Sequence, residues 1–99
     1  MYVAAYCIDR PDSVDKRMAA RPDHLAFLKS LGDTLKLGGA LLDDTGETPI
    51  GSLVVLEVES VDAAGEIMAN DPYAKADLFD SVSLRPWKWF IGNPDTDPF

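Results

Sequence analysis

Apolar and amphipathic segments follow one another along this chain in the order β-α-β-β-α-β, which predicts an α+β fold. With right-handed crossovers this order fits the ferredoxin-like sandwich, in which two helices cover one face of a four-stranded antiparallel sheet. The length of 99 residues and the hydrophobic share of 46% indicate one globular domain. We assign it to residues 1–91 and expect the tail, residues 92–99, to be extended or mobile because Pro and Gly interrupt it.

The first strand is predicted over residues 2–8, an apolar run with aromatic and β-branched members that ends at a polar turn. Its residues do not alternate between apolar and polar, so we expect both faces of the strand to be covered. In a chain of this size the helices can cover only one face. A second subunit is therefore expected on the other face, and the predicted assembly is a homodimer.

The next predicted elements are one or two helical turns in residues 13–20 and a main helix over residues 22–31. Pro22 suits the first position of a helix, and Gly32 is well placed to end one. Leucines that recur every three residues predict the apolar face of the main helix: Leu25, Leu28 and Leu31.

His24 is the only histidine in the sequence, and it falls two residues inside the predicted start of that helix. The positive end of the helix macrodipole disfavours a cation there, which favours the neutral imidazole. A neutral imidazole in a cleft can accept a proton, so His24 is a candidate general base. The alternative is a surface histidine without a chemical role.

A second strand is predicted over residues 35–42 and a third, the most buried, over residues 52–59, joined by a polar hairpin loop at residues 43–49. Gly38 and Gly39 interrupt the second strand. Such a pair marks either a close approach of the backbone to a ligand or only a bend in the sheet. We include Gly39 among the candidate substrate-binding residues.

The second half of the chain contains one helix and the last strand. Ser60 is predicted to cap the helix, residues 61–69, and residues 71–78 to contain a further helical turn. The last strand is predicted over residues 81–90. Pro86 cannot donate a hydrogen bond to a neighbouring strand, so this strand belongs at a sheet edge or carries a bulge.

Composition excludes several classes of partner. Nine basic and seventeen acidic residues give a net charge of −8 and a pI near 4.3, which argues against nucleic acid and against an anionic membrane. Cys7 is the only cysteine, so no disulfide forms within the chain, and one histidine provides no cluster with metal-ligand spacing. We expect no metal and no cofactor. No signal-like or membrane-spanning run follows Met1, so the chain is interpreted as cytoplasmic.

The predicted topology gathers ionisable side chains at one end of the domain. The end of the first strand, the start of the first helix and the end of the second helix all lie there. These positions hold Asp9, Arg10, Arg21, His24 and Asp71. A carboxylate bonded to one imidazole nitrogen fixes the tautomer, so Asp71 is predicted to orient His24. The alternative for Asp71 is a helix cap with no chemical role.

Several motifs resemble those of the YciI-like proteins, the YCII-related domain family. The resemblance covers nearly the whole chain and depends most on Arg-Pro-x-His-Leu at residues 21–25 and Asp-Pro-Tyr at residues 71–73. It implies a dimeric α+β barrel that pairs through the sheet faces, with an active-site cleft in each subunit built on His24 and Asp71. It also places Tyr73 among the candidate substrate-binding residues. The hairpin loop looks shorter than in some members of the family.

Together these features predict a cofactor-independent acid–base enzyme acting on a small organic molecule, with the lyase, isomerase or dehalogenating chemistry of related barrels. His24 and Asp71 are the predicted catalytic pair. Arg21 or Arg10 would hold an anionic or enolate oxygen, and Asp9, at the same end, is a further candidate binding residue. Two alternatives stay open: a non-catalytic ligand-binding or accessory dimer that uses the same cleft, and a purely structural dimer without a polar cleft.

Overall fold

Four antiparallel strands form one sheet in the computed structural model, which describes residues 1–96. The strands are β1 (Tyr2–Asp9), β2 (Leu35–Leu42), β3 (Pro49–Glu57) and β4 (Phe79–Trp87). The helices are α1 (Val14–Ser30), α2 (Val61–Ala69) and the short α3 (Pro72–Lys75), with a 3₁₀ turn at Gly32–Thr34. The strand order is β2-β3-β1-β4, so the predicted ferredoxin-like α+β fold is confirmed.

Strand β1 lies inside the sheet, where it pairs with β3 on one side and with β4 on the other. Ala5, for example, lies opposite both Val54 and Leu84. Strand β4 forms one edge of the sheet, as Pro86 predicts, because an edge strand tolerates a residue that cannot donate a backbone hydrogen bond.

The side chains of β1 alternate between the two faces of the sheet. Ala5 and Cys7 are buried on the face that carries the helices, whereas Tyr6 on the opposite face is 48% exposed. In the single chain the helices therefore cover only one face of this strand, as expected, and the cover of the other face by a second subunit stays a prediction. Apolar residues on both faces hide the alternation in the sequence. We refer to the uncovered side, which carries Tyr6, Leu37 and Leu53, as the open face.

Helix α1 is continuous, so the break predicted at Pro22 is wrong. Proline inside a helix removes one backbone hydrogen bond and strains the preceding turn. Pro22 is exposed, and water can hydrate the carbonyl that loses its helical partner. His24 therefore lies in the middle of a helix, so the prediction that it lies near the positive end of a helix is wrong. Gly32, at φ +56°, follows the end of α1 as predicted.

The buried side of α1 is polar. Its fully buried residues are Arg17 and His24. The predicted leucine-lined face is wrong for Leu25, which is 44% exposed, whereas Leu31 is partly buried against the core. Arg17 and His24 are separated by about two turns and therefore share one side of the helix. The apolar core comes from the sheet, α2 and the segment around α3: Val3, Ala5, Cys7, Val54, Leu56, Ala64, Met68, Tyr73, Leu78 and Phe79.

The other boundaries differ from prediction by a few residues. Strand β3 begins at Pro49, which shortens the hairpin loop, and β4 both begins and ends earlier than residues 81–90. The tail forms a turn within residues 92–96 and buries the Asn93 side chain, so it is not extended there. The tail prediction for residues 97–99 lies outside the described part of the chain. No helix within residues 1–96 is long and apolar enough to cross a membrane.

Candidate active site

His24 of α1 and Asp71 at the start of α3 form a buried pair. Nδ1 of His24 lies 2.8 Å from Oδ1 and 3.0 Å from Oδ2 of Asp71. Asp71 is fully buried, and His24 is 7% exposed. The two residues that the topology predicts to be neighbours are thus within hydrogen-bond distance, and the carboxylate accepts from Nδ1–H.

Asp71 is held in place as the N-cap of α3. Its Oδ1 also accepts a hydrogen bond from the backbone N–H of Tyr73 at 2.9 Å, and Pro72 occupies the first turn of the helix. The capping role that the sequence suggests as an alternative is therefore present. It coexists with the contact to His24, so one carboxylate serves both the helix and the imidazole.

The imidazole of His24 stacks on the ring of Tyr73, with centroids 3.8 Å apart and planes 10° from parallel. This stacking and the carboxylate together fix the imidazole plane. Nε2 makes no hydrogen bond within residues 1–96, and no buried side-chain nitrogen or oxygen there lacks a partner. Nε2 is therefore accessible from the cleft that His24 lines. Such an imidazole can accept a proton at Nε2 while Asp71 stabilises the imidazolium that forms.

A second buried pair, between Arg17 and Asp9, lies beside the first. Nη1 of Arg17 donates to both carboxylate oxygens of Asp9, at 3.0 and 2.9 Å, and Nη2 donates to Oγ of Ser52 at 2.7 Å. The guanidinium carbon lies 4.6 Å from the centroid of the Tyr73 ring. Arg17 and Ser52 are not among the site residues that the sequence predicts. The i, i+7 spacing of Arg17 and His24 on a continuous helix is the signal that indicates Arg17.

Several of these side chains line one cleft, with a volume of about 390 Å³, which suits a small organic molecule. Its polar lining residues are Arg17, Arg21, His24, Ser52 and Tyr73. The rest of the lining is apolar or glycine: Met18, Leu25, Leu28, Gly38, Gly39, Ala40, Leu42, Pro49 and Val54. A purely structural dimer predicts no polar cleft, so that alternative does not fit the structure.

The predicted binding residues are not all in this cleft. Arg21, Gly39 and Tyr73 line it. Asp9 lies behind the lining, where it is 8% exposed and paired with Arg17. Asp9 can therefore position the guanidinium and is not placed to touch a ligand.

Arg10 lies outside the cleft, at the surface. Its Nη2 donates to Oδ1 of Asp77 at 2.9 Å, and its Nη1 lies 3.6 Å from Asp80. The hydrogen bond with Asp77 raises the pKa of Arg10 and lowers the pKa of the Asp77 carboxyl. The prediction that Arg10 shares the mouth with His24 is therefore wrong, because a nearer carboxylate engages it.

Two weak acids beside the buried pairs have raised pKa values. Burial raises the pKa of Tyr73, which keeps its hydroxyl protonated at neutral pH. Burial, and then the nearby carboxylates of Asp71 and Asp9, raise the pKa of the Cys7 thiol to about 12. Cys7 is thus a neutral, buried thiol and not a nucleophile. Within residues 1–96, no three His, Cys, Asp or Glu side chains are grouped as metal ligands would be.

The sheet, the helices on one of its faces and the cleft beside α1 define a ferredoxin-like α+β protein with a polar cleft in the single chain. The YCII-related domain matches residues 1–88, and the chain belongs to the YCII-related domain family. It is 37% identical over 95 residues to protein YciI of Escherichia coli O6:H1, covering 89% of this chain and 97% of that protein. It is 34% identical, with the same coverage, to an uncharacterized protein of Haemophilus influenzae. The family resemblance drawn from the motifs is confirmed.

Solved structures extend these comparisons. The chain is similar to 5-chloro-2-hydroxyhydroquinone dehydrochlorinase, TftG, of Burkholderia phenoliruptrix AC1100, in a complex with 2,5-dihydroxybenzoquinone. The TM-score is 0.80 and the identity 34%, covering 89% of this chain and 94% of that chain. An antibiotic biosynthesis monooxygenase has a TM-score of 0.51 at 12% identity, covering 88% of this chain and 97% of that chain. At such low identity the second likeness shows the fold alone.

Proposed function

We propose that this protein is a cofactor-independent enzyme that removes a proton next to a carbonyl group of a small, ring-sized molecule, with elimination or isomerisation following. The observation that carries the proposal is the buried 2.8 Å contact between Nδ1 of His24 and Asp71, with Nε2 accessible from the cleft. The likeness to TftG, a dehydrochlorinase by name, supports an enzymatic role.

In the proposed mechanism His24 is the general base. Asp71 keeps the proton on Nδ1, so Nε2 has the lone pair that takes the substrate proton. The charge of Asp71 then stabilises the imidazolium, and the stack on Tyr73 keeps the ring plane fixed throughout. The imidazolium returns its proton to another atom of the substrate in an isomerisation, or to solvent after a leaving group departs.

The cleft walls favour a flat, largely apolar substrate. Leu25, Leu28 and Val54 offer aliphatic surface to the faces of a ring, while the polar groups meet its oxygens. Arg21 is exposed and lines the cleft, so it suits an anionic group of an arriving substrate. A hydroxylated ring like the one named for TftG is therefore the first substrate class to test.

The direct test measures chloride release from 5-chloro-2-hydroxyhydroquinone and, in heavy water, exchange of protons next to the carbonyl of simple cyclic ketones. His24→Ala is expected to reduce either rate by about 10²–10⁴-fold. Asp71→Asn keeps the side-chain shape but loses the charge, and should also reduce the rate. The double variant should be little slower than His24→Ala, because the two residues act as one unit. Asp23→Asn, an exposed carboxylate on the same helix, is the matched control and should retain the wild-type rate.

Three outcomes would contradict the proposal. A rate that does not depend on His24 would exclude it as the base. Losses that simply multiply in the double variant would show that His24 and Asp71 do not work together. Ligand binding unaffected by His24→Ala, with no turnover of any tested compound, would favour the non-catalytic binding module.

We also propose that two chains associate through the open face. Its exposed apolar side chains include Tyr6 and Leu53, at 48% and 37% exposure, and no helix covers them within residues 1–96. Burial of this surface would drive association of two sheets. Light scattering at micromolar concentration should then give about twice the chain mass of 10.8 kDa, and Tyr6→Glu should shift the population toward the single chain. A 10.8 kDa species alone in the wild type would exclude the homodimer.

A further inference from the structure

A second pocket, with a volume of about 590 Å³, lies at the end of the open face where β1 begins and where β3 and β4 end. Tyr2 is paired with Glu57 on one side and with Trp87 on the other, so these three side chains lie on the same face of the sheet as Tyr6. The pocket shares no lining residue with the cleft beside α1. It is therefore separate from the candidate active site.

Aromatic rings form one wall of this pocket. The centroids of Trp87 and Trp89 lie 5.7 Å apart with their planes 30° from parallel, and Tyr2 meets Trp89 edge to face at 5.6 Å. Nε1 of Trp89 donates a hydrogen bond to the carbonyl oxygen of Ile91 at 2.8 Å, which fixes the indole. The rings contact one another and present a continuous aromatic wall, against which a flat ring can stack.

The segment after β4 adds a polar group to this wall. Gly92 turns the chain at φ +79°, and Asn93 beyond it is only 8% exposed. Oδ1 of Asn93 accepts from the backbone N–H of Asp95 at 3.0 Å, whereas Nδ2 makes no hydrogen bond within residues 1–96. No fully buried side-chain nitrogen in that range lacks a partner, so Nδ2 is reached from the pocket that Asn93 lines. An acceptor atom of a ligand would satisfy this amide.

The charged groups of the pocket favour an anion over a cation. Oε1 of Glu57 lies 3.4 Å from Nζ of Lys36, so the charge of this carboxylate is partly compensated. Lys88 also lines the pocket and forms no salt bridge within residues 1–96. A quaternary ammonium would suit the rings alone but would be repelled by Lys88. A carboxylate suits both Lys88 and the free donor of Asn93.

We infer that this pocket binds flat, ring-sized molecules that carry a carboxylate. The ring stacks on the wall formed by Trp87 and Trp89, and the carboxylate accepts hydrogen bonds from Lys88 and from Nδ2 of Asn93. The inference goes beyond the proposed function and does not depend on it, because no residue of the cleft takes part.

The tryptophans provide a direct test. Trp87 and Trp89 are the only tryptophans in the sequence, so tryptophan fluorescence reports this pocket and not the cleft. The probes are benzoate, benzyl alcohol, which has the ring without the charge, and benzyltrimethylammonium, which has the opposite charge. Benzoate should quench or shift the emission at about millimolar concentration, the range expected of so small a ligand. Benzyl alcohol should bind several-fold more weakly, and the ammonium should bind least.

Variants locate the carboxylate. Asn93→Asp replaces the Nδ2 donor with an anionic oxygen and keeps the acceptor for the N–H of Asp95, so benzoate binding should weaken by roughly 10–100-fold. Lys88→Met should weaken it by roughly 2–5-fold, the scale of an exposed ion pair. Lys29→Met removes a lysine of α1 outside the pocket, and it should bind as the wild type does, as should His24→Ala. Thermal unfolding shows whether each variant is folded. Lys88→Met, a change at an exposed residue, decides the question if Asn93→Asp is not.

Three results would overturn the inference. Emission that no probe changes, or benzoate binding that is unchanged in both Asn93→Asp and Lys88→Met, would exclude the site. Tighter binding of benzyltrimethylammonium than of benzoate would exclude the anionic ligand. Tyr6→Glu, which disfavours association of two chains, should bind benzoate as the wild type does, and binding by that variant alone would show that a second chain fills the pocket. None of these results bears on turnover that depends on His24.

Discussion

Two arginine–aspartate pairs in this protein have the same separation and very different surroundings. Arg17 and Asp9 meet at 2.9 Å with both side chains 5% exposed, whereas Arg10 and Asp77 meet at 2.9 Å with side chains 44% and 74% exposed. In the buried pair both the attraction and the cost of desolvation are large, and at the surface water screens the attraction. The distance between nitrogen and oxygen therefore does not by itself determine how much an ion pair contributes to stability. In the buried pair, loss of either partner leaves the other charge buried without compensation.

Removal of one member of the buried pair should have the largest effect. Arg17→Ala leaves the Asp9 carboxylate buried without its partner and Ser52 without its donor. We expect the free energy of unfolding to fall by about 3–5 kcal/mol. Urea denaturation at neutral pH measures this change. A loss below about 1 kcal/mol, the range of surface pairs, would show that burial does not distinguish the two arginines.

Replacement of both members should restore most of that loss. Asp9→Leu combined with Arg17→Met removes both charges together and fills a similar volume with apolar groups, an exchange that is often neutral or stabilising. The double variant should therefore unfold near the wild-type urea concentration. A double variant as unstable as Arg17→Ala would show that the pair is required by the fold itself.

The carboxylates of the buried region also act on Cys7, with a smaller effect on stability. Burial first, and then Asp71 and Asp9, raise its pKa from 9.0 to about 12. The unfolded chain therefore loses this proton at lower pH than the folded chain, and stability falls as pH rises from 9.0 toward 12. Urea midpoints should decline more steeply above about pH 9 in the wild type than in Cys7→Ala. Parallel declines would contradict the raised pKa.

The exposed pair should have the smallest effect. Arg10→Ala is expected to leave the urea midpoint at neutral pH within experimental scatter, because both partners are well hydrated. The pKa of the Asp77 carboxyl is lowered by Arg10, so any contribution is present above the ordinary aspartate pKa of about 4 and disappears as pH falls through the lowered value. A change at neutral pH as large as that of Arg17→Ala would contradict this expectation.

The sequence predicts most of the fold because residues of each strand and of α2 follow simple local rules. Pro86 at an edge and Ser60 as a cap are examples: Oγ of Ser60 accepts from the N–H of Ala63 at 3.0 Å. Helix α1 is where local rules fail. Its periodicity favours leucines as the inner face, but Arg17 and His24 face inward because distant partners satisfy them. Those partners come from other elements, which no pattern within the helix reveals.

The candidate site likewise contains residues that the sequence predicts and residues that it does not. His24 and Asp71 are predicted as neighbours because the topology places their elements at one end of the domain, and they are in contact. Ser52 is not predicted to be a site residue, because its neighbours in β3 are those of an ordinary buried strand. Arg10 is misplaced because the sequence does not show that the chain turns at Asp77, with φ +57°, and brings that carboxylate within its reach.

The interior position of β1 has a consequence for the order of folding during synthesis. Tyr2 pairs with Glu57 of β3 and with Trp87 of β4, so the first strand to be made needs partners that are made much later. Until then its backbone groups have no strand partner, and the loops that must close are long. We expect α1 and the β2–β3 hairpin to form early, β1 to join β3 afterwards, and β4, which pairs with β1 at the sheet edge, to join last. Refolding should therefore be slower than that of helical proteins of the same length.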